Sequence, residues 1–159
     1  MIIDGALQFS GTAGTAGSID VPTTGTQQST NVVDLVNARD MGIGDDPAMK
    51  LLCVVKTALA AGTSLQVQFQ GAPDSGSGTP GTYITYAESG AVALADLVVG
   101  RYLLPMDIPR PPPGAPLPRF YRLQYVSVGT FTGGGGIYAA LVLDRADYVG
   151  YPSGITVPN

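Results

Sequence analysis

Two runs of alternating apolar and polar residues, separated by a glycine-rich connection, constrain this chain more than any other feature. In the first run Tyr121, Leu123 and Tyr125 share one face, and polar residues lie between them. In the second run, residues 137–143, both alternating rows are largely apolar. A period of two is typical of β-strands. The pattern therefore predicts a β-hairpin over residues 119–144 with a central second strand, which further strands must cover because an isolated hairpin is marginal in water.

The composition favours an all-β chain of one domain. With 159 residues, a single domain over residues 1–159 has enough chain to bury a sizeable core. The 22 glycines and 13 prolines exceed what a helical protein tolerates, and only 13% of the residues are charged. Turns are therefore expected to be many and helices few.

Further strands are predicted before and after the hairpin. Alternation is strict over residues 64–70, which predicts one apolar and one wet face. Residues 50–59 fit both a helical stripe and a strand, and the adjacent β-branched Val54 and Val55 favour the strand. Shorter strand patterns lie at residues 2–9, 31–36, 83–86 and 101–108, and residues 95–97 resemble one helical turn.

Two segments are poor in core-forming residues. Residues 10–30 are a low-complexity run of small and polar residues, in which only Ile19 and Val21 are sizeable apolar groups. Such a run offsets little of its ordering entropy by burial, so it predicts a surface connection or an arm. Residues 148–159 are aromatic and punctuated by proline, which predicts a C-terminal arm.

A proline-rich strap runs between Pro105 and Pro118 and contains seven prolines. Proline fixes φ and removes an amide donor, so the strap is expected to be extended and outside any central ladder. Two interpretations stay open: a polyproline surface offered to a partner, or a stiff connector leading into the hairpin. The candidate partner-contacting residues are Arg110, Pro111, Pro112 and Pro113 in the strap and Tyr148, Tyr151 and Pro152 in the C-terminal arm.

The sequence contains few residues of the types that enzymes use for catalysis. The chain has no histidine, which removes imidazole-based nucleophile activation and metal ligation, and its one glutamate is Glu88. Cys53 is the single cysteine and lies in an apolar run, so it is interpreted as a buried thiol without a disulfide. No catalytic residue, enzymatic activity or cofactor is therefore expected.

An acidic loop with Asp40, Asp45 and Asp46 invites comparison with a calcium site. An EF-hand loop needs ligands at alternate positions, then glycine and a distal glutamate, and this loop lacks that order. Solvated aspartates that turn the chain are the favoured interpretation. No metal site is predicted, and whether the loop binds an ion stays open.

The charge pattern argues against two classes of partner. Eight basic and 12 acidic residues give a net charge of −4, without the basic cluster that nucleic acid or an anionic membrane requires. The start, Met1 to Asp4, lacks a basic leader, and the apolar runs fall short of the ~18 residues of a membrane span. The chain is therefore expected to be made in a cytoplasm.

Six ordered strings of residues carry a resemblance to a known family. They are STNVVDL at 29–35, RDMGIGDDP at 39–47, GAPD at 71–74, YAES at 86–89, AALVLDR at 139–145 and YPSGI at 151–155. Together they resemble the capsid cement (decoration) proteins of short-tailed phages of the Bordetella-phage type. The resemblance runs through most of the chain, and it departs at residues 10–28 and at the triple proline.

The resemblance implies a jelly-roll β-sandwich of about eight strands with long loops and extended arms. It also implies a virion structural protein, made in the bacterial host and located on the outer surface of an icosahedral capsid. There, a homodimer ties together neighbouring subunits of the phage major capsid protein. An alternative is a carbohydrate- or receptor-binding jelly roll of a phage tail or fibre, because one fold supports many functions. The absence of tryptophan weighs against it.

Overall fold

The computed structural model describes residues 4–15, 17–38 and 49–143, and these form antiparallel β-sheets without an α-helix. The all-β prediction is confirmed. Ten strand segments are present in these ranges, four of them only two residues long. They are β1 Gly25–Gln28, β2 Val33–Asp34, β3 Lys50–Thr57, β4 Ala60–Ala61, β5 Ser64–Ala72, β6 Ile84–Glu88, β7 Val92–Ala93, β8 Phe120–Val128, β9 Phe131–Thr132 and β10 Gly136–Val142.

The larger sheet has the strand order β1-β8-β5-β6, with β2 also pairing with β8 and β7 with β5. Its longest pairing joins β5 to β8, from Ser64 opposite Val128 to Ala72 opposite Phe120. The strict alternation predicted for residues 64–70 is confirmed from Ser64 to Phe69, where buried and half-buried residues alternate. It ends at Gln70, which was predicted to be wet and is buried. The two long strands thus form the centre of this sheet.

The smaller sheet pairs β3 with β10. Isolated bridges extend it on both edges: Gln8 and Asp20 bridge to β10, while Tyr102 and Asp107 bridge to β3. All residues of β10 are buried, as its two apolar rows predict. The strand interpretation of residues 50–59 is confirmed by β3. The sequence therefore indicated both long strands of the smaller sheet, β3 and β10.

The predicted hairpin between the two central strands is wrong, since β8 and β10 belong to different sheets. Between them β9 pairs with β4, and this corner turns the chain from one sheet to the other. Glycine is needed there: a Cβ on Gly62 would lie 2.8 Å from the Phe131 ring, and one on Gly135 would lie even closer to the Ala58 carbonyl oxygen. Alternation reports which face a strand buries, and it does not report which strand it pairs with.

The three pairings together form one folded ribbon. Strands β3, β4 and β5 pair in order with β10, β9 and β8, so a long antiparallel ribbon bends over at the β4–β9 corner. This nested winding is that of a jelly roll. The bend places the two sheets face to face over one core. That core includes Leu51, Cys53, Val55, Ile137, Ala139 and Leu141 from the smaller sheet and Leu65, Val67, Phe69, Tyr121, Leu123 and Tyr125 from the larger.

Two of the shorter strand predictions are wrong. Residues 2–9 contain no strand in their described part, because the Asp4 side chain accepts the Ala6 N–H at 2.9 Å and caps a 3-10 turn at Gly5–Leu7. Residues 101–108 make only isolated bridges to β3, since Pro105 cannot donate to a ladder. The pattern at 31–36 shrinks to β2, whereas that at 83–86 is confirmed by β6. The predicted helical turn at 95–97 is a 3-10 turn at Leu94–Asp96.

Polar groups attach residues 10–30 to both sheets. The Tyr125 hydroxyl of the larger sheet donates to the buried Asp20 carboxyl at 2.9 Å, and the Gly11 N–H donates to it at 2.8 Å. Asp20 and Ile137 of the smaller sheet exchange two backbone hydrogen bonds of 2.9 Å. Burial, followed by the neighbouring Asp20, raises the pKa of Tyr125 well above its ordinary value. The segment thus includes β1 and contacts the body of the sandwich through these hydrogen bonds, together with the Ile19 side chain, which packs against the smaller sheet.

Candidate partner-binding surface

The proline-rich strap crosses from the smaller sheet to the larger one. At its start, the Met106 carbonyl accepts the Leu51 N–H of β3 at 3.4 Å. At its end, the Arg119 N–H donates to the Ala72 carbonyl of β5 at 2.9 Å. Ile108 and Pro118 are buried, so the strap is anchored near both ends. This course is that of a connector, and the residues between the anchors form an outward surface.

The four strap candidates differ in exposure. Arg110 and Pro113 are exposed, whereas Pro111 and Pro112 are half-buried. The Ala115 N–H donates to the Pro112 carbonyl at 3.0 Å and closes a turn after the triple proline. The other three candidates, Tyr148, Tyr151 and Pro152, and the acidic loop with Asp40, Asp45 and Asp46 lie outside the described residues.

The sequence analysis missed an ionic group that joins three distant segments, here called the Arg119 cluster and consisting of Asp34, Asp74 and Arg119. Arg119 Nε and Nη2 donate to the two carboxylate oxygens of Asp34 at 2.8 and 2.9 Å. Its Nη1 donates to Asp74 at 2.5 Å, and Asp74 also accepts the N–H groups of Gly76 and Gly78 at 2.9 Å each. No spacing rule in the sequence links these three positions.

Hydrogen bonding dominates the electrostatics of the Arg119 cluster. The hydrogen bond from Arg119 lowers the pKa of Asp34, and the Gly76 N–H, with further help from Gly78 and Arg119, lowers that of Asp74. Hydrogen bonds to Asp34 and then Asp74 raise the pKa of Arg119. All three side chains therefore favour their charged forms, which holds the loop after β5 against β2 and the start of β8.

Beside this cluster, Val36 has an unusual backbone. Its φ is +67°, which is rare for a β-branched residue, and its N–H donates to the Asp34 carboxylate at 2.7 Å. Its side chain is 64% exposed. Strained backbone conformations of this kind are concentrated at functional sites, so we include the loop after β2 in the candidate surface.

A second exposed apolar site is the turn Val98–Arg101. Val98 and Val99 are 58% and 61% exposed, and no other two consecutive large apolar residues in the described chain share such exposure. The turn is fixed by backbone bonds: the Arg101 N–H donates to the Val98 carbonyl at 3.0 Å, and the Gly100 N–H donates to the Val55 carbonyl at 2.9 Å. A return bond from the Val55 N–H to the Arg101 carbonyl, at 3.0 Å, attaches the turn to β3.

An open cleft of about 570 Å³ adjoins this turn. Segments of both sheets contribute to it, so it lies along a side of the sandwich where the two sheets meet. Its lining residues include Ser89 and Val92 from the β6–β7 region and Arg101, Tyr102, Leu103 and Pro105 from the segment that follows the turn. The lining combines apolar side chains with one cation.

The outer face of the larger sheet is polar. Register places the amides of Gln28, Gln124 and Gln68 in one row across three strands, ending at Glu88 on β6. Beside them, the Arg122 guanidinium lies 3.6 Å from the centre of the Tyr83 ring and donates from Nε to the Gln70 side-chain oxygen at 2.9 Å. This face presents hydrogen-bonding groups with few charges.

The described residues contain no group of three or more acidic, histidine or cysteine side chains placed to hold a metal ion. Cys53 is buried, and that burial raises the pKa of its thiol, so little nucleophilic thiolate forms. Within the same ranges no helix is long and apolar enough to cross a membrane.

Fold and surface together define an all-β sandwich with exposed turns, a proline-rich strap and an open cleft. The family model of Bbp16, which bears the name of a Bordetella phage protein, matches residues 12–141. The chain therefore belongs to the Bbp16 family and is a phage-family protein. No curated protein matches it.

Proposed function

We propose that this protein is a structural component of the virion that binds the outer surface of an icosahedral phage capsid and cements neighbouring major capsid protein subunits. The observation that carries the proposal is membership of the Bbp16 phage family over residues 12–141. The resemblance of six strings of the sequence to capsid cement proteins agrees with it. The role needs contact surfaces and no catalytic group.

The described surface supports a binding role in two ways. Its exposed apolar residues lie on turns fixed by backbone hydrogen bonds, as at Val98 and Val99, and at the Arg119 cluster, as at Val36. Groups that are already ordered lose little entropy on binding, so they contribute to affinity more than mobile groups of the same area. The strap adds prolines whose φ is fixed before contact.

A dimer on a closed shell gives modest contacts a large combined effect. A single copy needs only a standard interface of about 1,600 Å² in total, because two-fold engagement raises the effective concentration at the second site. The polar β1 strand at one end of the larger sheet and β6 near the other leave edges that a second copy can pair with. Light scattering of the isolated protein at micromolar concentration tests for the expected dimer mass.

The decisive experiment strips the protein from phage particles and heats bare and re-decorated shells in the same salt. Re-decoration should raise the temperature at which the shells rupture, because the added subunits hold neighbouring capsid subunits together. A second arm uses protein lacking residues 148–159, whose circular dichroism should match that of the full chain. An unchanged rupture temperature, or failure of the full chain to rebind, would overturn the cement role.

A glycan array separates this role from the carbohydrate- or receptor-binding alternative. The cement role predicts binding to shells and no specific glycan signal. Specific glycan binding without shell binding would instead favour the tail or fibre module, with the amide row on the larger sheet as the first surface to mutate.

A further inference from the structure

We infer that the turn Val98–Arg101 and the adjoining cleft receive an extended, acidic segment of the partner protein. The inference deepens the proposed function, because it assigns the part of the surface that contacts the capsid. It commits to one occupant: a strand-like peptide segment with a carboxylate side chain beside an apolar one.

The apolar part of the argument rests on Val98 and Val99. Two adjacent β-branched side chains, each more than half exposed, form an apolar patch whose burial against a partner would be favourable. Leu97 immediately before them is buried in the core, and Leu94 donates its N–H to the Thr63 carbonyl at 2.9 Å. The contacts of Leu94 and Leu97 thus fix the inner side of the turn, and the two valines are exposed on its outer side. Their positions are therefore set before a partner binds.

Charge identifies the occupant. Arg101 is exposed, lines the cleft and makes no ion pair with any residue in the described ranges. Two other described arginines have partners: Arg119 in its ionic cluster, and Arg122 with Gln70 and Tyr83. An unpaired guanidinium at the edge of an apolar cleft favours a carboxylate, to which its planar donors can bind in pairs.

Shape determines the form of the occupant. The cleft follows residues 101–105, which run alongside β3 with the Leu103 N–H bonded to the Cys53 carbonyl at 2.9 Å. The opposite contributions come from Ser89 and Val92 of the other sheet. An open channel of about 570 Å³ between two extended segments accommodates a third extended segment better than a helix, which is about 10 Å wide.

The first test measures binding of single and double variants to bare shells. Arg101→Glu should weaken binding at least about tenfold, because reversing a paired charge leaves two carboxylates facing each other. Its matched control is Lys56→Glu, which makes the same charge change at another exposed basic residue outside the cleft lining and should stay within about twofold. Circular dichroism and thermal unfolding check that each variant keeps its fold.

The apolar half has its own pair of variants. The double change Val98→Ser with Val99→Ser should also weaken binding about tenfold through lost apolar burial. The control pairs Val128→Ser with Leu143→Ser, at two exposed apolar positions elsewhere, and should bind like the unchanged protein. If the unchanged protein binds shells and both turn variants bind equally well, the assignment of this surface is wrong.

A capsid-independent test keeps the inference separate from the cement role. A short synthetic peptide of alternating aspartate and valine is titrated into the labelled protein and followed by NMR, beside a lysine–valine peptide of the same length. Amide shifts should be confined to residues 98–104 and 89–92 and appear with the aspartate peptide alone. No shift, or equal shifts with both peptides, would overturn the inference, while failure of the unchanged protein to bind shells counts against the proposed function only.

Discussion

The two sheets of the sandwich use their outer faces in opposite ways. In the smaller sheet the residues that point away from the core are themselves buried, and Ile19 and Tyr102 pack against them; they are Leu52, Val54, Tyr138, Ala140 and Val142. In the larger sheet the corresponding face carries half-buried amides and the Arg122 side chain. One sheet is thus enclosed on both sides, and the other has a wet face.

Because of this difference, β10 and β8 should differ in how well they tolerate substitutions, although both contain many apolar residues. In β10 every position is packed, so any change in volume meets neighbouring atoms. In β8 every second side chain from Arg122 to Val128 reaches solvent. The smaller sheet should therefore determine most of the packing energy per residue, and the larger sheet should provide surface that can change for function.

The largest effect is expected from Leu141→Ala in the smaller sheet. Leu141 is 2% exposed and faces the shared core, so its loss should lower the free energy of unfolding by about 2–5 kcal/mol. Leu143→Ala, two residues on at a side chain that is 60% exposed, should cost less than about 0.5 kcal/mol. Denaturant titration checks both, and equal losses would mean that β10 is not enclosed as described.

A smaller effect comes from adding volume to the two outer faces. Ala140→Leu places a larger side chain on the buried outer face of β10 and should cost about 1–3 kcal/mol. Gln124→Leu makes a similar side chain on the outer face of β8 and should change stability by less than about 0.5 kcal/mol, since that face is open. Thermal unfolding compares them. Similar melting temperatures for the two variants would remove the distinction between the sheets.

Tyr125→Phe probes the contact by which residues 10–30 join the sheets. It removes one hydrogen bond from the buried Asp20 carboxyl and should lower the free energy of unfolding by about 1–2 kcal/mol. Tyr86→Phe is the control, because the described residues provide no hydrogen bond to that half-buried hydroxyl. Hydrogen exchange should also quicken at Asp20 and Ile137 in Tyr125→Phe, and unchanged exchange there would contradict the assigned link.

The smallest effect concerns the Arg119 cluster, which belongs to the larger sheet alone. The pKa values of Asp34 and Asp74 are lowered in the folded state, so their stabilisation is complete well above an ordinary carboxyl pKa of about 4 and is lost as pH falls through the folded values. Arg119→Gln should therefore destabilise the protein near pH 7 and converge with the unchanged protein near pH 2.

Denaturant midpoints measured across this pH range test the prediction. Arg110→Gln, which removes an arginine outside the cluster, should show no such convergence. A constant difference between Arg119→Gln and the unchanged protein at every pH would show that lost packing on Phe120, over whose ring the guanidinium lies at 4.8 Å, outweighs the ionic contacts.

The local sequence pattern predicted most of the long strands, but it did not predict how they pair. Alternation at Leu65 to Phe69 and at Tyr121 to Tyr125 identified two core strands, because burial on one face leaves a period of two. The same signal could not show that β8 and β10 lie in opposite sheets, since pairing depends on residues far apart in the chain. The glycines near Phe131 were visible as a turn, but their role as a corner depends on contacts with β4.

The candidate surface was harder to predict than the fold. The strap was found because proline restricts the chain by itself. The Arg119 cluster forms only when β2, β5 and β8 are in register, so no local spacing in the sequence predicts it. The exposed pair Val98 and Val99 had the composition of a core segment, and only the buried Leu97 beside them shows which side of the turn faces inward.

The folded ribbon also has a consequence for the order in which the protein folds. Its pairings nest, so the β5–β8 pair encloses the shortest stretch of chain and the β3–β10 pair the longest. Closing the inner pair first shortens the loop that remains for the outer pair, which lowers the entropic cost of each later step. A chain dominated by such distant contacts should fold slowly, on a scale of about milliseconds to seconds. Val67→Ala should then mainly slow folding and Val55→Ala mainly speed unfolding, and stopped-flow kinetics showing the reverse would place the nucleus in the smaller sheet.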